Sequence, residues 1–114
     1  LLRAIRPEAR VTLDGVEYDV GGLRGQPVQN YVLGEWLDEL ESDPRAFQYE
    51  SHSVAPLSAR LEWKPRTEWL SRDVAWPPKG VHVTLQFRAG ADGPQGVRLD
   101  VHYELYDGLP LVAK

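Results

Sequence analysis

Apolar residues recur at every second position in VHVTLQF, where Val81, Val83, Leu85 and Phe87 share one face. VRLDVHYELY does the same with Val97, Leu99, Val101, Tyr103 and Leu105. A period of two places alternate side chains on opposite faces of a pleated ribbon, so both runs predict half-buried strands. The intervening AGADGPQG is rich in turn formers and predicts a hairpin loop. A second hairpin is predicted in RVTLDGVEYDVGGL, where Asp14-Gly15 separates two β-prone runs and supplies the positive φ that a tight turn needs. Gly21-Gly22 ends its second strand. Phe47, Tyr49 and Ser51 alternate with Gln48, Glu50 and His52, and Ala59, Leu61 and Trp63 alternate with Arg60 and Glu62, giving two further strands.

The period changes once. Leu33, Trp36, Leu37 and Leu40 fall at helical spacing, which predicts one short helix at about residues 31–41. Asn30 is its expected N-cap and Asp43-Pro44 its stop. Gly34 lowers helix propensity and is expected to allow a close approach to a neighbouring strand. Glu35, Asp38, Glu39 and Glu41 lie on the other faces, where a solvated surface accounts for them; they lack the spacing and glycine of a calcium loop. The sum is a mostly β chain, expected to fold as an antiparallel β-sandwich of at least six strands with that one helix.

Residues 64–79 follow neither period and contain Pro65, Pro77 and Pro78. Long ordered connections often carry function. Three of the four tryptophans lie in or beside this one, in WKPRTEWLSRDVAWPPKG. Trp63 continues an apolar strand face and Trp76 precedes the Pro-Pro pair, so both are expected as core anchors. Trp69 stands in the irregular stretch with Arg66 and Arg72 three positions to either side. These three are the candidate ligand-binding residues, as a platform for a sugar ring or as a cation–π cluster that steadies the connection.

Length limits the chain to one domain: 114 residues support a single core. Residues 1–9 read as a lead-in and 10–114 as the domain, expected to be excised from a longer protein because Leu1 opens the chain and LPLVAK closes it with an apolar run under way. A formal charge of −4 lacks the basic footprint of a nucleic-acid binder. No apolar run reaches the length of a membrane-spanning helix. The absence of cysteine excludes disulfides and thiolate metal sites but leaves the compartment open.

DGVEYDVGGL, FQYESHSVAPLSARLEWKP, WPPKGVHVTLQF and VRLDVHYELYDGLPLVAK form an array that resembles the β-supersandwich preceding the catalytic barrel in α-galactosidase-like glycoside hydrolases. VHYELYDGLPLVAK carries most of the likeness: an aromatic-acid strand, a turn at Asp-Gly, then an apolar strand ending in a basic residue. A complete supersandwich of this galactose-mutarotase-like type is longer, so the resemblance covers only part of one. It implies a non-catalytic accessory domain of a secreted or periplasmic carbohydrate-active protein, packed on a catalytic barrel that carries the carboxylates.

Catalysis by this chain alone is not expected. Seventeen acids make accidental carboxylate pairs certain, and none has an evident catalytic setting. There is no G-x-S-x-G elbow, no P-loop and no dinucleotide fingerprint. One polar cluster stands out. In the last hairpin His82 shares a face with Asp100, His102 and Glu104. One register puts His82 opposite His102, and the next allowed one puts it opposite Glu104. Imidazoles and an acid on one face suit zinc binding or proton transfer, and mutarotase chemistry pairs a histidine with a carboxylate; the competing reading is a solvated sheet face. The sequence thus predicts no cofactor and no metal. Its expected partners are a neighbouring domain, a carbohydrate, or a second copy joined through edge strands with exchange of residues 103–114. A free carbohydrate-binding module is the alternative function, and a mutarotase-like enzyme using His82, His102 and Glu104 a third.

Overall fold

The computed structural model describes residues 5–26, 31–59, 68, 78–108 and 110–114. Six strands are present among them: β1 Ala9–Leu13, β2 Val16–Val20, β3 Phe47–Pro56, β4 Gly80–Ala89, β5 Arg98–Tyr106 and β6 Val112–Ala113. They form one sheet in the order β1-β2-β3-β4-β5-β6. The chain is mostly β, as its alternating pattern implies, but two expectations need correction. The described strands make a single sheet rather than two packed ones, and the sheet is mixed: β2 and β3 pair in parallel at Val20 and Phe47. The physical reason lies in residues 21–46. That connection is long enough to carry the chain back and start β3 in the same direction as β2, which a tight turn cannot do. The strand expected at 59–63 falls almost entirely outside the described residues.

The β1–β2 hairpin follows its sequence signal closely. Asp14 (φ 50°) and Gly15 (φ 78°) both take positive φ, the signature of the primed turn that suits strand twist. The register pairs Ala9 with Val20, Val11 with Tyr18 and Leu13 with Val16, so the apolar positions of both strands meet on one face. On the other face Arg10 pairs with Asp19 across the strands and bonds it at 2.9 Å, with Glu17 at 3.3 Å. The Arg10 guanidinium is held above its ordinary pKa, first by the Asp19 hydrogen bond and then by the charges of Asp19 and Glu17.

The helix is also corrected. It is a six-residue 3₁₀ helix, Gly34–Glu39, with no buried residue. Its bonds run from the Trp36 amide to the Leu33 carbonyl, and from Leu40 to Leu37 just beyond it. Short 3₁₀ runs are what a glycine-interrupted segment closed by Asp-Pro can sustain. Leu33 caps it in extended conformation with no side-chain bond, and Asn30 lies outside the described residues. A Cβ on Gly34 would meet nothing within 4 Å, so the expected close approach is not there. Trp36 instead stacks on Tyr31, with centroids 5.8 Å apart.

The chain divides into two compact units, residues 1–51 with 86–100, and residues 52–85 with 101–114. Among the described residues all five buried hydrophobic side chains belong to the first: Val20, Val32, Ala46, Phe47 and Phe87. Tyr18 meets Phe47 edge-on at 6.2 Å, and Tyr49 meets Phe87 at 6.1 Å. Gly21 (φ 66°) lies beneath Phe87, where a Cβ would come within 3.3 Å of the ring. Gln26 ties the lead-in to this unit, exchanging two hydrogen bonds with the Ile5 backbone and donating to the Leu23 carbonyl. Gln95 closes the β4–β5 loop by donating to the carbonyl oxygens of Gly90, Ala91 and Gly93.

In the second unit no described residue is buried. Its strand ends are held by backbone bonds from Leu57 to Gly80 and from Asp107 to Lys79. Gly80 is required there, because a Cβ would lie 2.0 Å from the Leu105 carbonyl oxygen. The Lys114 ammonium sits 5.6 Å from the centre of the Tyr103 ring, joining the end of the chain to β5. Val54, Val81, Leu105, Leu111 and Val112 remain exposed.

Candidate functional site

In the second unit three polar side chains close on one another. Strand alternation sends His82 and Thr84 to one face of β4, and His102 comes to meet them from β5. His82 Nε2 lies 2.9 Å from His102 Nδ1, with ring centroids 5.1 Å apart. Thr84 Oγ1 is 3.2 Å from the His102 nitrogen and 3.4 Å from the His82 nitrogen. One facing nitrogen donates and the other accepts, with the roles set by the ring tautomers. Glu104, the third member expected from sequence, accepts a 2.7 Å hydrogen bond from the Tyr106 hydroxyl.

The cluster is neither enclosed nor fully exposed. His82, Thr84, His102 and Glu104 are all half-buried, as are Val83 and Leu85 on the opposite face of β4. Alternation alone shows which residues share a face; it does not show whether that face is covered. Thr84 was the member the pattern did not single out, although its place two residues after His82 puts it on the same side. Among the described residues no group of three or more His, Cys, Asp or Glu is arranged to hold a metal, so two imidazoles and a hydroxyl are the donors available.

Trp69, Arg66 and Arg72, and the anchors Trp63 and Trp76, lie outside the described residues. A different aromatic is exposed. Tyr49 shows 54% of its surface, and lines an open depression of about 380 Å³ with Gly21, Leu23, Ser42, Phe47 and Gln48. The Gln48 amide donates to the Ser42 hydroxyl at 3.3 Å, so polar groups stand beside the ring. The signal was in the sequence, since Tyr49 follows Phe47 on an alternating face. Which of the two would be covered depends on packing from distant residues such as Phe87.

A second depression in the first unit, about 200 Å³, is lined by Arg10, Glu17, Tyr18, Asp19, Asp43 and Arg45. Its charges largely satisfy one another: Arg10 bonds Asp19 and Glu17, while Asp43 pairs with Arg24 and caps the Arg45 amide. Such a self-neutralised surface has little net field to offer a charged ligand. No family profile, curated protein or solved structure matches the chain.

Proposed function

We propose that this chain is a non-catalytic accessory module that packs against a neighbouring domain of a larger protein. The observation that carries the reading is the unequal division of apolar burial. The first unit encloses Val20, Ala46, Phe47 and Phe87 while exposing Val16, Tyr31 and Tyr49; the second exposes Val54, Val81, Leu105, Leu111 and Val112 and buries no described residue. Exposed apolar side chains without a buried core beneath them suit a surface that another domain covers. The resemblance to the supersandwich of α-galactosidase-like hydrolases gives the partner its chemistry, a catalytic barrel of a carbohydrate-active protein. The module then buttresses that barrel and shapes its sugar site.

The test uses the neighbouring domain as a separate polypeptide. Sedimentation of the mixture should show a complex, and Val54→Lys with Val112→Lys should abolish it while leaving the first unit folded. Two domains that sediment independently at high concentration would refute the reading.

A second reading, a carbohydrate-binding module, is favoured by the Tyr49 depression. An exposed ring beside Gln48 and Ser42 offers a sugar an apolar platform and hydrogen-bonding groups at its edge. Calorimetry with an oligosaccharide panel separates the two: saturable binding lost in Tyr49→Ala supports the second reading, and no heat with any sugar removes it.

A further inference from the structure

We propose that the contact between His82 and His102, backed by Thr84, is a proton-operated latch that ties β4 to β5 near neutral pH and releases them in acid. The inference starts from the two facing nitrogens. His82 Nε2 and His102 Nδ1 stand 2.9 Å apart, within the range of one hydrogen bond. Such a bond holds a single proton between its nitrogens, so it forms when both rings are neutral and when one of them is an imidazolium. It cannot form between two imidazoliums. Each would then direct an N–H at the other, and no acceptor would remain. Two like charges would also face each other at contact distance, where half-burial leaves the rings less water to screen them.

The neighbouring groups do not lift this constraint. On β4, Thr84 shares the face, and its hydroxyl lies 3.4 Å from the His82 nitrogen and 3.2 Å from the His102 nitrogen. It can accept from a freed N–H but carries no charge to offset two cations. On β5, alternation places Asp100 and Glu104 on the His102 face, where Glu104 accepts from the Tyr106 hydroxyl. These carboxylates favour a first added proton, which the contact tolerates, but they do not stand between the facing nitrogens. On β3, the exposed His52 is the one titratable side chain in residues 52–56. β6 contributes none, and the Lys114 ammonium lies over the Tyr103 ring on the opposite face of β5. Proton counting gives the sign. Released rings take one proton each beyond the neutral state, whereas the closed contact takes one for the pair. The open state binds more protons, so acid favours it and raising the pH restores the contact. The latch lies in the unit that buries no described residue, so no buried described side chain there offsets its loss. It stands independently of the packing role proposed above.

The test is NMR of the whole chain from about pH 7.5 down to about pH 5, a span in which imidazole changes charge and carboxylates ordinarily stay ionised. At the upper end the His82 and His102 rings should show a nuclear Overhauser contact. At the lower end that contact should be lost as the ring nitrogen shifts report both rings protonated. The amide resonances of residues 81–85 and 101–105 should move with it, while those of Val20, Phe47 and Phe87 stay in place. Returning to neutral pH should restore the contact. His102→Gln keeps a side chain that donates and accepts but takes up no proton, so the amide movement should be largely lost. His52→Gln should respond as the wild type does. Should His102→Gln fail to fold, the wild-type ring contact still decides the matter. A contact that persists with both rings protonated, amide movement equal in the two units, or an acid response undiminished in His102→Gln would each overturn the latch.

Discussion

Gly90→Ala is expected to be the most damaging single-methyl addition in the first unit. Gly90 lies against the chain entering β3: its amide donates to the Ala46 carbonyl at 3.0 Å, and Asp92 donates to Pro44 at 2.9 Å. A Cβ at this position would stand 2.3 Å from the Pro44 oxygen and 2.6 Å from the Ala46 oxygen. Both obstacles are backbone, so no side chain can swing aside. Restoring ordinary contact requires a separation of about 1 Å, enough to break both hydrogen bonds. Overpacking strain of about 1–3 kcal/mol adds to roughly 1 kcal/mol for each lost bond, giving about 3–5 kcal/mol. In a chain of this size that lowers the Tm by roughly 10–20 °C. Two other glycines serve as controls. Gly15→Ala meets open space but forces a positive φ of 78°, so about 1 kcal/mol is expected. Gly34→Ala meets open space without that strain, and should be neutral or stabilising by up to about 1 kcal/mol. The assay is thermal and urea unfolding of the three variants followed by circular dichroism. A Gly90→Ala variant that loses no more stability than Gly15→Ala would refute the steric reasoning.

Phe87→Ala, which empties a site 4% exposed and removes the partner of Tyr49, should cost about 3–5 kcal/mol in urea unfolding. Gln26→Ala should cost about 1–3 kcal/mol through three lost hydrogen bonds, and proteolysis within residues 5–8 should then quicken. Arg10→Ala should leave the unfolding curve almost unchanged, since exposed ion pairs are screened. Its raised pKa keeps the guanidinium charged through the neutral and alkaline range, so the pairs respond to salt and not to alkali. Sedimentation equilibrium of the isolated chain should show a reversible dimer, because β6 pairs only with Glu104 and Leu105 of β5 and its Val112, with the adjacent Leu111, is exposed. A monomer at every concentration would count against that.

What could be read from the sequence was set by interactions local in the chain. Asp14-Gly15 dictates its own turn, and period-two runs dictate strands wherever they fall. The parallel pairing of Val20 with Phe47 was not legible, because nothing in residues 21–46 records the direction in which the chain returns. The helix pattern at Leu33, Trp36, Leu37 and Leu40 overstated what the segment can hold: spacing registers a shared face, whereas a helix with no buried residue gains little from having one. At the candidate site, the face shared by His82 and His102 was visible in the alternation. Their half-burial and the closing of Thr84 on both rings were not, since coverage of a face is a tertiary property. Trp69, Arg66 and Arg72 lie outside the described residues, and Tyr49 is a further aromatic on which a sugar reading can be tested.

Amide hydrogen exchange of the isolated chain tests the division of burial most directly. Slow exchange in β2, at Phe47 and around Phe87, with fast exchange through residues 101–114 and the outer half of β3, is the predicted pattern. Uniformly slow exchange across all six strands would mean that the second unit is as well supported as the first, and would contradict the account.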